Sequence, residues 1–190
     1  MYALTKRITD VIAALLAGIV FLPIACVVAI AIRLESEGPV LFFSDRVGKD
    51  NKIFRMPKFR TMNVDTPAVA TDKLQNPTSF LTRLGGFLRK TSLDEIPQLW
   101  SVLIGDMSLV GPRPALFNQT DLIDMRTESG VHAIPPGITG WAQINGRDTI
   151  SLEEKISLDN QYLDSRSYSF DLKILWLTIV TVLKRESVTH

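Results

Sequence analysis

The sequence predicts an α-dominated α+β fold: an N-terminal membrane helix that enters the bilayer and returns, a small β-hairpin, and amphipathic helices gathered at the membrane interface. Three observations lead there. Residues 11–32 carry no charged side chain and are mostly Ala, Val, Ile and Leu, about the twenty residues that a bilayer-embedded helix needs. Two short apolar segments flank a Gly-Lys-Asp-Asn turn, the pattern of a hairpin. Most other apolar residues recur at three-and-four spacing, which lines one face of a helix. The 190 residues are about one domain's worth. They divide into 1–35, the re-entrant membrane helix, and 36–190, a cytoplasmic domain ending in an interfacial helix.

In the membrane segment, Pro23 sits near the middle, where it removes a backbone bond and bends the helix. Lys6 and Arg7 precede the segment and Arg33 follows it, so the positive-inside rule gives no direction for crossing. A helix hinged at Pro23, with both ends cytoplasmic, satisfies these facts. A bitopic helix that tolerates its proline is the competing reading. The apolar run is longer than the roughly 7–15-residue core of a cleaved signal peptide.

Residues 35–39 form a Gly-Pro-containing exit from the membrane. Residues 40–43 and 52–55 read as the hairpin strands, and 66–77 as a polar loop. Helical spacing covers 80–88, 116–126 and 151–163, while 107–114 and 135–147 are Gly/Pro-rich loops. In 171–185 an apolar run too short to span carries Trp176 and ends in Lys184-Arg185. That suits a helix lying at the interface; a buried core helix has the same pattern.

The richest stretch is Thr91-Ser92-Leu93-Asp94-Glu95-Ile96-Pro97-Gln98-Leu99-Trp100. Leu93, Ile96, Trp100 and Leu103 are expected on one buried helical face. Ser92 with Glu95 three residues later is a capping-box pattern, although Pro97 also allows the regular helix to begin there. In either register Asp94 and Glu95 lie at a helix N-terminus, where the dipole favours an ionised Asp94. An ionised Asp can attack an electrophile, and a neighbouring Glu can hold a divalent cation over a phosphate. Taken alone, S-x-x-E is an ordinary helix start.

Basic side chains supply a place for anions. Lys52, Arg55, Lys58 and Arg60 alternate with apolar residues, which suits either lipid phosphates or a solvated strand face. In Gly111-Pro112-Arg113-Pro114, the flanking prolines restrict the backbone and present the Arg113 fork with little entropy to lose. Such a fork matches phosphate oxygens two at a time. Residues 136–147 add close-approach glycines, an Asn-Gly turn and Arg147. Together with the carboxylate pair and the membrane segment, these describe a site for a phosphate-bearing substrate at a bilayer surface.

Composition removes other classes. A net charge of +1 gives no footprint for nucleic acid. The single cysteine, Cys26, excludes an internal disulfide and a Cys-rich zinc site, and His132 and His190 are too few for a histidine cage. The familiar Gly-rich nucleotide-binding signatures are absent.

The chain resembles the monotopic phosphoglycosyl transferases, the bacterial sugar transferase family, in their minimal catalytic-domain type. The resemblance rests on four motifs in the family's order: Lys58-Phe59-Arg60-Thr61-Met62; Ser92-Leu93-Asp94-Glu95-Ile96-Pro97-Gln98-Leu99; the stretch from Gly105-Asp106-Met107 to Gly111-Pro112-Arg113-Pro114; and Pro136-Gly137-Ile138-Thr139-Gly140-Trp141-Ala142-Gln143-Ile144-Asn145-Gly146-Arg147. It implies transfer of a sugar 1-phosphate, of N-acetylated hexosamine type, from a UDP-sugar to undecaprenyl phosphate. UMP is released and a covalent intermediate forms on Asp94. It implies Mg2+ held by Glu95 with Asp94, and phosphate contacts from Lys58, Arg89, Arg113 and Arg147. Pro23 is the implied hinge, although Leu22-Pro23 departs from the family's small residue before Pro. The resemblance also implies the cytoplasmic face of a bacterial inner membrane, contact with membrane lipids, and association with downstream glycosyltransferases. The rival functions are a membrane-surface phosphatase working through Asp94 with water, and a lipid-docking scaffold without catalysis.

Overall fold

The computed structural model of the chain describes residues 2–66, 76–146 and 149–184. The fold is α-dominated α+β, with seven α-helices and four short strands among the described residues. Helix α1 (Tyr2–Glu35) contains Pro23 and is helical on both sides of it. The hairpin follows as β1 (Leu41–Val47) and β2 (Ile53–Phe59), paired antiparallel from Leu41↔Phe59 to Val47↔Ile53. Its strands run further than the sequence signal, and its turn places Asp50 and Asn51 in the left-handed region, where Asp and Asn are tolerated. Next come α2 (Arg83–Thr91), α3 (Gln98–Ile104), β3 (Ser108–Val110) and α4 (Thr120–Glu128). Strand β4 (Gly137–Thr139) pairs parallel with β3. Helices α5 (Trp141–Ile144), α6 (Leu152–Ser165) and α7 (Tyr168–Lys184) complete the chain.

The β3–β4 pair was hidden in two stretches read as loops. Three residues a side leave too little periodicity to see. Glycine makes the pairing close: a Cβ on Gly137 would collide with the backbone of Gly111. Most of the loop expected over 66–77 lies outside the described residues, as does Arg185.

Both ends of α1 are docked on the rest of the protein. At its start, Lys6 Nζ lies 2.9 Å from Asp171 and 3.4 Å from Asp10. Tyr2 and Tyr162 donate to Asp171 at 2.8 and 2.9 Å, and Ser108 donates to Asp10 at 2.7 Å. Arg7 donates to the carbonyls of Val102 and Leu103, groups that the last turn of α3 leaves without helical partners. At the other end, Val28 and Ile32 join Phe59 and Leu88 in a buried cluster. Glu35 accepts from Leu84 N–H at the start of α2. Between these anchors Leu16, Ile19, Val20 and Leu22 are exposed, an apolar surface that suits lipid rather than water.

Helix α7 divides its faces in the same way. Ile174 is fully buried beside Val110 and Tyr162, whereas Leu172, Trp176 and Ile179 are exposed. Trp100 and Ile104 of α3 are exposed too. Of the expected face, Leu93, Ile96 and Leu103 pack against buried clusters while Trp100 points outward, and Gln98, Ser101 and Val102 are the buried residues of α3. The reason is that α3 starts only at Gln98, so the phase read from Leu93 onward does not carry through.

The network around Lys6 buries charge, and removing one partner of such a set leaves the others uncompensated. Lys6→Met should therefore destabilise the protein by about 3–5 kcal/mol, measured by thermal denaturation in detergent. The exposed Arg33→Ala serves as control and should change little; equal melting of the two variants would contradict the anchoring.

Candidate active site

Four segments converge on the carboxylate pair. Helix α2 ends at Ser92, which adopts φ 55° and donates its N–H to Arg89 and Leu88 carbonyls. Asp94 and Glu95 then sit in a single 3-10 turn, Leu93–Glu95, ahead of α3. The capping box is thus absent: Ser92 closes α2 in the left-handed conformation and its side chain makes no capping bond. Pro97 occupies the N-cap of α3, where its missing N–H breaks no helical bond. Leu93 and Ile96 pack on the Val28–Phe59–Leu88 cluster, so the turn is pinned by its apolar residues while the acidic ones face β2.

Lys58 of β2 meets the pair from the hairpin. Its Nζ is 2.7 Å from Glu95 Oε1 and 3.9 Å from Asp94 Oδ2. Arg113, in the loop after β3, brings Nη1 to 3.7 Å from Glu95 Oε1. Arg89, in the last turn of α2, donates from Nε to Thr61 Oγ1 at 2.9 Å, and its charge also acts on Asp94. That approach depends on Gly85, where a Cβ would strike the Thr61 carbonyl. Lys58, Arg89, Arg113, Asp94 and Glu95 therefore share one site. Arg147 lies outside the described residues.

Thr61 fixes Arg89 through a contact between distant parts of the chain, which leaves no signal in sequence spacing. The basic stretch does not act as one patch. Lys52 and Arg55 are exposed, with the Arg55 guanidinium 4.8 Å from the Phe43 ring centre. Arg60 is buried and donates to the Ser36 and Glu37 carbonyls. Strand alternation and the end of β2 send the four cations to different places, and Lys58 is the one that reaches the carboxylates.

Burial dominates the electrostatics. Asp94 is 7% exposed, and its desolvation raises the carboxyl pKa; Lys58, Arg89 and Arg113 pull it down while Glu95 pushes it up. Asp94 sits in a 3-10 turn ahead of α3 rather than in the first turn of that helix, and the neighbouring cations are what favour its charge. Lys58 is lowered, first by desolvation, and is supported by Glu95 and Asp94 against Arg113. Among the described residues no third His, Cys, Asp or Glu joins the pair. Two adjacent carboxylates nonetheless suit Mg2+, which commonly takes one or two protein carboxylates and completes its shell with water and substrate phosphate.

The description "bacterial sugar transferase" matches residues 1–185. The UDP-glucose:undecaprenyl-phosphate glucose-1-phosphate transferase of Escherichia coli K12 is 41% identical over 184 residues, covering 93% of this chain and 39% of that protein. An uncharacterized sugar transferase of Bacillus subtilis 168 is 42% identical over 188 residues, covering 96% of this chain and 89% of its own length. The UDP-N-acetylgalactosamine-undecaprenyl-phosphate N-acetylgalactosaminephosphotransferase of Aeromonas hydrophila is 39% identical over 188 residues, covering 96% of this chain and 44% of that protein. This chain thus spans under half the length of two of these three relatives. With the match running from α1 through the carboxylate turn to α7, the chain belongs to the bacterial sugar transferase family.

Proposed function

We propose that the protein transfers a sugar 1-phosphate from a UDP-sugar to undecaprenyl phosphate, with Asp94 as covalent nucleophile. The observation that carries this reading is a buried Asp94 beside Glu95, ringed by Lys58, Arg89 and Arg113. An Asp94 carboxylate oxygen attacks the sugar-bearing phosphorus of the diphosphate, and the bond to the bridging oxygen breaks with loss of UMP. A phosphate oxygen of undecaprenyl phosphate then attacks the same phosphorus, which frees Asp94 and leaves a lipid-linked diphosphate sugar. Splitting the transfer lets one set of cations serve two anionic substrates in turn. Glu95 and Asp94 are the residues that would hold Mg2+, whose chemistry is neutralisation of phosphoryl charge. Arg147 would add a further phosphate contact. The sugar we put forward is an N-acetylated hexosamine, on the resemblance to that part of the family; the named relatives divide between glucose and N-acetylgalactosamine, so a UDP-sugar panel decides it.

The same proposal places the site on the cytoplasmic face of the inner membrane, where UDP-sugars are made. Its support is the docking of both ends of α1 on one domain, which favours a re-entrant helix hinged at Pro23 over one that crosses. The 34 residues of α1 would measure about 50 Å if straight at roughly 1.5 Å per residue. A crossing helix of that length would carry one end to the far side of a hydrocarbon core of about 30 Å.

Intact-protein mass spectrometry after mixing with donor should show a sugar-phosphate adduct that requires Mg2+, disappears in EDTA and is absent from Asp94→Asn. Because the folded state raises the Asp94 pKa, its stabilising effect is present below the ordinary carboxylate value and is lost as pH rises through the raised one. Asp94→Asn removes that titration, so its melting temperature should vary less between acidic and neutral pH than that of the native protein. An adduct on that variant would overturn the nucleophile. For topology, Ala3→Cys and Glu37→Cys, each in a Cys26→Ala background, should react only from the cytoplasmic side. Labelling of Ala3→Cys from the periplasm would make the helix bitopic.

A further inference from the structure

The loop that carries Arg113 has little means of stiffening itself. Pro112 and Pro114 have no N–H to donate, which removes the local amide bonds that usually hold a turn. Its three successive carbonyls are instead all bonded from outside. Gly137 N–H donates to Pro112 O at 2.9 Å, Arg126 Nη1 to Arg113 O at 2.7 Å, and Arg46 Nη1 to Pro114 O at 3.1 Å.

The first of these is a backbone bond from Gly137, where only glycine fits against Gly111; the other two need particular side chains. Arg126, in α4, spends the rest of its fork on Asp159 of α6, with Nε at 3.0 Å and Nη2 at 2.6 Å from Oδ2. The pair is buried. Arg46, in β1, also donates from Nε to Ser44 Oγ at 3.0 Å. A buried ion pair is weak evidence of stabilisation, since apolar residues of similar volume often serve as well. A rigid guanidinium can, however, grip a carboxylate with one edge and a carbonyl with another, which a lysine ammonium cannot do in that geometry.

We propose that Arg46 and Arg126 are positioning residues for Arg113. By holding the carbonyls of Arg113 and Pro114 they fix the loop, and with it the guanidinium that reaches to 3.7 Å from Glu95. The catalytic part of the inference rests on the transferase reading above; the clamping of the loop does not. A small displacement of a phosphate-binding group can cost as much as about a hundredfold in rate, so the clamp has a direct outlet in turnover.

The test uses the full chain in detergent, with Arg46→Gln, Arg126→Lys, Arg113→Ala and the two doubles that include Arg113→Ala. Hydrogen exchange should accelerate in residues 111–116 of each clamp variant and stay unchanged in α2 and in the second half of α1, which neither arginine touches. UMP release should fall by about tenfold or more. Each double should be no slower than Arg113→Ala alone, because residues acting through one another are non-additive. Unchanged exchange in 111–116 overturns the clamp whatever the activity. Exchange that quickens throughout the protein, with doubles slowed multiplicatively, reduces the arginines to general stability and overturns it too. An inert Arg113→Ala overturns the role in catalysis. Exchange confined to the loop in a protein that turns over no UDP-sugar supports the clamp and sinks the transferase reading. If Arg126→Lys does not fold, Arg46→Gln, whose side chain is half-buried, carries the same readouts.

Discussion

Two neighbouring carboxylates with little access to water are the constraint on which the rest of this structure depends. Burial favours the neutral form of Asp94, because desolvation penalises the charged one. Lys58, Arg89 and Arg113 counter that penalty at Asp94, and each arrives from a different element. The hairpin delivers Lys58, the end of α2 delivers Arg89 through its bond to Thr61, and the loop after β3 delivers Arg113. Three cations around two carboxylates leave a local excess of positive charge, suited to an incoming diphosphate. The groups that compensate one another's charge in the site are thereby those that would engage a substrate.

The long apolar helix α1 and the site share one scaffold. Val28, Ile32, Phe59 and Leu88 form the cluster against which Leu93 and Ile96 lean, so the second half of α1 helps to set the carboxylate turn. Its first half holds the end of α3 through Arg7 and reaches α7 through Lys6 and Asp171. The outward faces of α1, α3 and α7 then present Leu16, Trp100 and Trp176 on the exterior. Such surfaces are costly in water and suited to a bilayer boundary, which would bring the site to the depth of lipid headgroups.

The sequence made much of this legible, and the failures have physical reasons. The apolar run, the hairpin and the helices after it follow from period and turn chemistry; Ser151, for instance, does cap α6 by accepting from Glu154 N–H. The Asp94–Glu95 pair and Arg113 stood out through adjacency and flanking prolines. Ser92 misled because S-x-x-E describes a capping box only if Ser92 is extended, and here it is left-handed. Trp100 misled because a 3-10 turn resets the helical phase. The short β3–β4 pair escaped notice because three residues a side carry almost no pattern. Thr61, Asp159 and Asp171 act through contacts between distant parts of the chain, and nothing local announces them.

If Asp94 carries the phosphosugar between two substrates, the time course of UMP release from a turned-over UDP-sugar, with and without lipid, will show it. Without undecaprenyl phosphate, the account predicts a burst of UMP stoichiometric with enzyme and then a halt; adding the lipid should start continuous turnover. Steady UMP release without lipid would indicate hydrolysis. A complete lack of UMP until lipid is added would indicate direct transfer, and either result would contradict the account.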